Sequence, residues 1–508
     1  MNKWIIAVTV MLPTLIEIMD MTSVNVSLGH IRGSLSAGID ESTWAITSYL
    51  VSNAIIIPLS GWLSRLFGRK RYLIVSITLF TVSSILCGLA WNLQSLIFFR
   101  VLQGIGGGAL QPISQSILFE TFPPQQRGMA MAVFGIGIMF GPIMGPLLGG
   151  VITDYWSWRW VFFIKAPIGI ISILMTFFFI FDPPYMKRVE KKFIDYWGLI
   201  LLPIGVGCLQ IVLDKGQREE WFSSSFIVWL SVISAVSLIL FVIAEIFNKK
   251  QPILNMKTFK DISFSTGCIV MFCIFFNLFG SLILQPIYVQ TLMGYTATYA
   301  GLVLVPGGVA SMITMPIVGR LMTKINPKGI LAFGIITCAY SSYLMSKFNL
   351  YADFFSIALP RMIMGIGMGA TVIPLIVLAF ATIKKEDMGN ATAIYNFLRN
   401  IGGSFGVAFV TTIISRRAQF HQSHLVENLT PFDINYQIAS QQSAQILQYR
   451  GFESSLSQHG GLGVIYNELL RQASMMSFND AFYLISIILI CVFPLVLLMK
   501  KGKSTAPA

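Results

Sequence analysis

The chain has 508 residues, of which 55% are hydrophobic and only 11% are charged, and its mean hydropathy is +0.73. This balance excludes an ordinary soluble domain and indicates a protein with many membrane spans. The net charge of +13 does not indicate nucleic-acid binding, because Lys and Arg cluster in short connectors between apolar runs. The six cysteines lie within apolar runs, so we expect no disulfide framework. We also expect no metal and no cofactor.

Apolar segments of about 20 residues predict fourteen membrane spans. They lie near residues 5–28, 43–63, 72–91, 95–118, 129–152, 160–181, 196–213, 225–246, 264–286, 298–322, 329–347, 354–381, 392–415 and 479–499. Basic residues are concentrated in the connectors after even-numbered spans and in the tail, and such an excess marks cytoplasmic loops. Both termini are therefore predicted to be cytoplasmic.

Span 1 contains two carboxylates, Glu17 and Asp20. Three residues apart, they share one face of a helix. An ionised side chain near the bilayer centre costs roughly 2.5–3.5 kcal/mol even on lenient scales, so such residues usually line an interior path. The two carboxylates predict that the protein binds and transports protons or cations. Glu17, one turn deeper than Asp20, is either a second proton site or a substrate contact.

Two sequence repeats divide the chain into halves. Residues 58–65 after span 2 recur as residues 316–324 after span 10, and residues 100–108 in span 4 recur as residues 361–369 in span 12. Both repeats are shifted by eight spans, which predicts two six-helix bundles with spans 7 and 8 inserted between them. The predicted divisions are an N-terminal bundle at 1–182, the inserted pair at 183–260, a C-terminal bundle at 261–500 and a tail at 501–508.

Span 4 carries a polar stripe of Arg100, Gln103, Gly107, Gln111 and Gln115 on one helical face. The stripe either faces water or a partner, or it joins helices by hydrogen bonds. Because Arg100 and Asp20 lie at similar depth, we predict that they pair. The pair is either a proton site, since a cation favours the ionised carboxylate while burial disfavours it, or a permanent lock between two helices.

The predicted substrate cavity combines amide and cationic side chains with Met and Phe, because methionine adapts its shape to varied apolar molecules. Its polar members are Asn25, Gln103, Gln111, Gln115, Asn277, Asn396 and Arg399.

The long polar connector at 416–478 is predicted to lie outside, with helices near Tyr436–Arg450 and Val464–Ala473 and a break at Gly460 and Gly461. His421 and His424 share a helix face there. Without a nearby cysteine or acidic cluster, a metal site is disfavoured.

Four segments resemble the Major Facilitator Superfamily and, within it, the fourteen-span drug:proton antiporter branch of the EmrB/QacA type. They are Asp20–Val26, the loop from Gly61 to Arg71, Leu96–Gly108, and the span-5 set of Ala132, Gly141, Gly145, Pro146, Gly149 and Gly150. The resemblance implies a conformational motif made of Gly61, Arg65, Gly68, Arg69, Gly141, Gly145, Pro146 and Gly149.

Three positions depart from the pattern of the branch. Arg65 stands where the loop motif usually has an acid, which puts the usual charge-relay latch in doubt. Ala132 replaces the first antiporter-motif glycine. Lys165 stands where Asn is common, and we expect it to tune the cavity toward acidic substrates.

The resemblance implies a proton-coupled exporter of hydrophobic toxic compounds in the bacterial inner membrane, working by alternating access. It assigns the coupling proton to Asp20, with Arg100 as its partner. Members of the EmrB subgroup work with an EmrA-like periplasmic adaptor and a TolC-like outer-membrane channel, so the 416–478 connector either contacts an adaptor or caps the outer surface. We expect Asp20→Asn to abolish gradient-driven export while leaving folding intact.

The main alternative is an exporter or importer of one dedicated metabolite with the same fold. A membrane-embedded enzyme or a receptor is disfavoured, since no HExxH or nucleophile-elbow pattern is present. A channel is disfavoured because channels need no titratable coupling site.

Overall fold

The computed structural model describes residues 2–182, 195–248, 252–427, 429–430, 432–449, 451 and 453–499. All regular secondary structure in these residues is helical. The predicted tail at 501–508 and the basic connectors at 183–194 and 249–251 lie outside the described residues. The cytoplasmic location of those basic segments therefore stays a prediction. The three domain boundaries also stay predictions.

The helices have the following bounds: α1 Lys3–Ser34, α2 Ile39–Phe67, α3 Arg69–Gly88, α4 Leu93–Gly107, α5 Leu110–Thr121, α6 Arg127–Tyr155, α7 Trp160–Phe163, α8 Lys165–Phe179, α9 Tyr196–Lys215, α10 Ser225–Phe247, α11 Ile262–Thr291, α12 Ala297–Leu321, α13 Pro327–Met345, α14 Phe354–Ala379, α15 Met388–Glu427, α16 Ile434–Tyr449, α17 Ser454–Val492 and α18 Leu495–Leu498. Helices α4 and α5 together form span 4, and α7 and α8 form span 6.

The number of long apolar helices confirms the polytopic fold. Thirteen helices of the described chain are long and apolar enough to cross a membrane. Helix α6, with 29 residues, lies between the fourth and fifth of these. Together they are consistent with the fourteen predicted spans. Several helices begin at a side chain that accepts a hydrogen bond from a backbone N–H two or three residues on, as at Asn2, Asp195, Asp261 and Asp353.

The inserted helices α9 and α10 pack against each other, and α9 also contacts α2 and α15. Lys215 of α9 donates a hydrogen bond to Oγ1 of Thr43, in α2 of the N-terminal half, at 2.8 Å. Gln210 donates to Ser404 Oγ of the C-terminal half at 2.9 Å. The pair therefore covers one side of the junction between the two halves.

The connector at 416–478 is largely helical, and the predicted helices near Tyr436–Arg450 and Val464–Ala473 overlap α16 and α17. Helix α15 continues to Glu427, and α17 already begins at Ser454. The predicted break at Gly460 and Gly461 is wrong, since α17 passes through both residues. A Cβ on Gly461 would lie 3.0 Å from the Ala444 backbone N, so the glycine lets α16 approach α17. We call residues 416–478, which the sequence predicts to lie outside, the outer hairpin.

The two halves meet directly at the end of the molecule that carries the α2–α3 turn at Gly68, which we call the motif end. A Cβ on Gly61 would lie 2.6 Å from the Gly389 carbonyl oxygen. Asn396 Nδ2 donates to Gln115 Oε1 at 2.6 Å. Toward the opposite end of α1, Asn25 is exposed. This conformation is closed at the motif end.

Candidate functional site

The two carboxylates of α1 are buried inside the protein. The exposed fraction of Glu17 is 2% and that of Asp20 is 0%. Their three-residue spacing places both on the face of α1 that packs against α2, α5 and α8. Each carboxylate has a different set of partners, and this difference gives the site two chemically distinct parts.

Asp20 lies between two cations. Its Oδ2 accepts a hydrogen bond from Arg100 Nη1 of α4, and its Oδ1 accepts one from Lys165 Nζ of α8. Gln103 Nε2 donates to Oδ1 as well, at 3.1 Å. Arg100 is held in place by a further hydrogen bond from Nε to the Ala45 carbonyl oxygen at 2.8 Å. The predicted contact between Asp20 and Arg100 is therefore present in the structure.

Lys165 has a buried partner that the sequence did not predict. It was expected to face the cavity, whereas the structure places it on Asp20 with an exposed fraction of 2%. A lone lysine in an apolar span needs a buried anion, and that signal was available in the sequence. One carboxylate thus neutralises one of two buried cations, and the cluster keeps an excess positive charge.

Glu17 has neutral hydrogen-bond donors instead. Asn53 Nδ2 donates to its Oε1 at 3.1 Å, and Gln111 Nε2 donates to its Oε2. Arg399 of the C-terminal half attracts it electrostatically from a greater distance. Amide donors stabilise a carboxylate less than a paired cation does, so Glu17 exchanges its partners more readily than Asp20. Asn53 was not among the predicted site residues.

The remaining predicted substrate residues are dispersed. Asn396 of the C-terminal half donates a hydrogen bond to Gln115 of the N-terminal half. Asn277 accepts from Ser342 Oγ at 3.2 Å, inside the C-terminal half. Arg399 packs over the Phe275 ring at 5.2 Å. Exposed Asn25 lies apart from these contacts, and the structure does not gather the seven residues into one pocket.

The loop motif surrounds the α2–α3 turn. Gly68 has φ +88°, a conformation that side chains rarely adopt, and its Cβ would lie 2.9 Å from Asp182 Oδ2. Arg69 forms a bidentate ion pair with Glu120, in which its Nη1 and Nη2 donate to the two carboxylate oxygens at 2.7 and 2.8 Å. Arg65, at the position where an acid is usual, donates to the Pro252 carbonyl oxygen at 3.4 Å. The segment after the inserted pair therefore contacts the loop motif through Arg65.

The span-5 glycines lie against α1, next to Asp20. A Cβ on Gly141 would lie 2.4 Å from Ile18 Cγ2, and one on Gly145 would lie 1.8 Å from Thr22 Oγ1. At Gly149 a Cβ would come within 2.8 Å of a backbone oxygen of α1. Pro146 lies in α6 between these positions. Close approach of α6 to α1 depends on these glycines.

Buried carboxylates, cations and amides at the junction of helices from two halves form a site that suits binding and release of protons and small molecules. In the described residues, no group of three or more His, Cys, Asp or Glu side chains is arranged to hold a metal ion. His421 of the outer hairpin contacts Asp480 at 2.7 Å.

Residues 10–407 match the sequence pattern of the Major Facilitator Superfamily. The chain belongs to this superfamily. The human organic anion transporter MFSD10 (TETRAN) has a similar fold, with a TM-score of 0.60 and 13% identity over 96% of this chain and 100% of that one. The protein is thus a multi-pass membrane protein with the superfamily fold.

Two curated relatives cover nearly the whole chain. The multidrug export protein EmrB of Escherichia coli K12 is 35% identical over 98% of this chain and 95% of its own length. The fatty acid resistance protein FarB of Neisseria gonorrhoeae is 34% identical over 96% of this chain and 94% of its own length. The resemblance to EmrB-type proteins that the motifs indicated is confirmed.

Proposed function

We propose that this protein is a proton-coupled multidrug efflux antiporter that exports hydrophobic toxic compounds by alternating access. The observation that carries the proposal is the complete burial of Asp20 between Arg100 and Lys165. The printed names of the EmrB and FarB relatives support export of drugs or other hydrophobic compounds.

Proton coupling follows from the charge balance around Asp20. Ionised Asp20 joins α1 to both α4 and α8 through its two cations. When Asp20 takes up a proton, the attraction ends and two buried cations repel each other. Protonation therefore changes how tightly these three helices associate, which links proton uptake to a change in conformation.

The closed motif end is one of the two states that alternating access requires. Here the halves are joined by the hydrogen bond between Gln115 and Asn396 and by close contact of Gly61 with Gly389. Opening the motif end has to break both. Glu17 and its donor Gln111 lie one to two helical turns from this junction, so substrate that reaches Glu17 is well placed to influence the closure.

We assign the protein to the bacterial inner membrane, with the motif end and both termini cytoplasmic and the outer hairpin periplasmic. The outer hairpin is proposed to dock an EmrA-like adaptor, which in turn joins a TolC-like channel. Phe432 and Tyr449 of the hairpin are 91% and 95% exposed, and exposed aromatic side chains are frequent anchors of protein interfaces.

Replacement of both aromatic anchors tests the docking proposal. We expect Phe432→Ser combined with Tyr449→Ser to abolish co-purification of the adaptor, because the hairpin loses its two most exposed aromatic side chains. Transport in liposomes, where no adaptor is present, should be unchanged. Undiminished co-purification would contradict docking at this surface.

Transport by purified protein in liposomes tests the proposed function. A pH gradient is imposed, and lipophilic cations, weak acids and fatty acids are screened as substrates. We expect several chemically different compounds to move against their gradients, with no movement after the pH gradient is dissipated. Transport of a single compound, lost after modest changes to that compound, would instead support the dedicated metabolite transporter.

A further inference from the structure

Tyr49 of α2 is a fully buried residue that the sequence did not predict as part of the site. Its exposed fraction is 0%. The face of its ring packs against the Arg100 guanidinium, whose Cζ lies 4.2 Å from the ring centroid. An aromatic face attracts a cation, and the attraction is stronger when both groups are removed from water. Arg100 therefore has two partners, the Asp20 carboxylate and the Tyr49 ring.

The hydroxyl of Tyr49 lies at the other part of the site, next to the partners of Glu17. A Cβ on Gly107 of α4 would lie 2.9 Å from Tyr49 Oη, 3.2 Å from Asn53 Nδ2 and 3.4 Å from Glu17 Cγ. These three groups therefore surround one point on α4. Asn53 follows Tyr49 by one turn of α2, and it donates to Glu17 Oε1 at 3.1 Å. The Tyr49 side chain thus extends from Arg100 to the hydrogen-bond donor of Glu17.

Glycines bring α4 and the residue after it into close contact with α2 at these positions. A Cβ on Gly104 would lie 2.6 Å from the Tyr49 carbonyl oxygen, and one on Gly108 would lie 2.6 Å from the Asn53 carbonyl oxygen. The two backbones leave no room for a side chain between them. Closely packed interiors have low compressibility and transmit displacements. A shift of the Asn53 amide is therefore passed to the Tyr49 side chain.

The C-terminal half shows that the fold does not itself require a ring at this position. The two sequence repeats align Tyr49 with Gly307 of α12, and Arg100 with Arg361 of α14. A Cβ on Gly307 would lie 2.9 Å from Arg361 Cγ, so the arginine stem packs against a position that has no side chain. No acidic side chain of the described residues forms an ion pair with Arg361. The ring is thus present in the half that has the buried carboxylates of α1.

We propose that Tyr49 couples the two parts of the site and acts as a positioning residue for Arg100. Substrate that displaces the Asn53 amide from Glu17 moves the neighbouring Tyr49 hydroxyl, and the ring then holds the guanidinium against Asp20. A cation held in this way favours the ionised carboxylate, so substrate binding releases the proton. By linkage, proton uptake weakens substrate binding by the same factor. The inference rests on the proposed function and names the residue through which substrate and proton influence each other.

Charged and titratable groups surround this path on several helices. They are Glu17 and Asp20 of α1, Cys87 of α3, Arg100 of α4, Lys165 of α8 and Arg399 of α15. Asp214 and Lys215 of α9 contact α2 at Thr47 and Thr43 instead. Tyr49→Phe changes none of these groups and keeps the ring on Arg100, so this variant isolates the contribution of the hydroxyl.

Proton release on substrate binding tests the inference. Purified protein in weakly buffered detergent is titrated with tetraphenylphosphonium, a pH-sensitive dye reports the released protons, and equilibrium dialysis measures the bound ligand. We expect Tyr49→Phe to bind tetraphenylphosphonium like the wild type. It should release fewer protons per bound molecule, by about fivefold or more, since linked sites commonly influence each other by at least this factor. Unchanged proton release by Tyr49→Phe would overturn the inference, because the protons would then leave without the help of the hydroxyl.

Tyr395→Phe is the matched control, since it removes the hydroxyl of another tyrosine with an exposed fraction of 0%, on α15. We expect this control to release protons like the wild type, and an equal loss in both variants would contradict a specific role of Tyr49. Asn53→Ala should also lower proton release per bound molecule. Combining it with Tyr49→Phe should cause no further loss, because residues of one path are not additive. Additive losses would mean two independent structural effects and would also overturn the inference.

The failure of the inference can be distinguished from failure of the proposed function. If the wild type releases protons on binding tetraphenylphosphonium and Tyr49→Phe releases as many, only the inference fails. If the wild type binds tetraphenylphosphonium and releases no proton, the proposed antiport fails and the inference fails with it.

Discussion

Asp20→Asn is expected to abolish gradient-driven export and to destabilise the protein by roughly 3–5 kcal/mol, the usual cost of removing one partner of a buried ion pair. The first effect follows from the loss of the titratable group. The second follows from the structure, because a neutral amide in place of the Asp20 carboxylate would leave Arg100 and Lys165 buried together without an anion. Thermal unfolding in detergent and transport in liposomes measure the two effects separately. The sequence predicted intact folding of this variant, whereas the buried contacts of Asp20 predict a loss of folding stability.

A second substitution separates folding from coupling. Asp20→Asn combined with Lys165→Asn restores the net charge of the wild-type cluster, so we expect most of the lost stability to return. Export should remain absent, since no proton acceptor has been restored at this position. Lys165→Asn alone keeps the pair of Asp20 with Arg100 and should transport. Export by the double variant at the wild-type rate would refute the role of Asp20.

Gly149→Ala is expected to reduce export at least fivefold and to destabilise the protein by about 1–3 kcal/mol, the usual range for overpacking. The added Cβ would lie 2.8 Å from the Ser23 carbonyl oxygen and 3.0 Å from Ser23 Cα. These are backbone atoms, which cannot rotate away. Helix α6 therefore has to move away from α1 at Ser23, which lies three residues after Asp20. Melting temperature and initial transport rate are the measurements.

Gly150→Ala is the matched control for this substitution. Its Cβ would meet Val26 Cγ1 at 3.8 Å, an ordinary contact. Both variants gain the higher helix propensity of alanine, so the difference between them reports packing against α1. Equal stability and equal transport for Gly149→Ala and Gly150→Ala would show that close approach at Gly149 is not needed.

Much of the architecture was predictable because apolar length and repeats are local signals. The fourteen-span plan follows from hydropathy and two repeated motifs. The contact of Asp20 with Arg100 was also predicted, since two expensive charges at similar depth favour pairing. In both cases the physical constraint of the membrane leaves few alternatives.

Other contacts depended on tertiary geometry that no local pattern records. Lys165 reaches Asp20 only because α8 packs against α1, and a lysine in an apolar span indicates that an anion is needed without indicating which helix supplies it. Asn53 reaches Glu17 in the same way, from α2. The helices of the outer hairpin extend beyond the predicted segments, because the packing of α16 on α17 compensates for their weak hydrophobic pattern.

Arg65, which departs from the family motif, has a hydrogen-bond acceptor in the structure. The acid expected at its position would repel the Pro252 carbonyl oxygen, whereas Arg65 donates to it. Sequence comparison identified the departure, but only the fold shows that the segment following the inserted helices supplies the acceptor.

The most direct test of proton coupling through Asp20 is proton movement driven by substrate. Liposomes containing the protein, pyranine and tetraphenylphosphonium are diluted into substrate-free buffer at equal pH, with the membrane potential clamped. We predict that substrate exit through the wild type acidifies the lumen, and that the Asp20→Asn and Lys165→Asn double variant produces no acidification. Substrate exit through the wild type without acidification, or equal acidification by the double variant, would contradict the account.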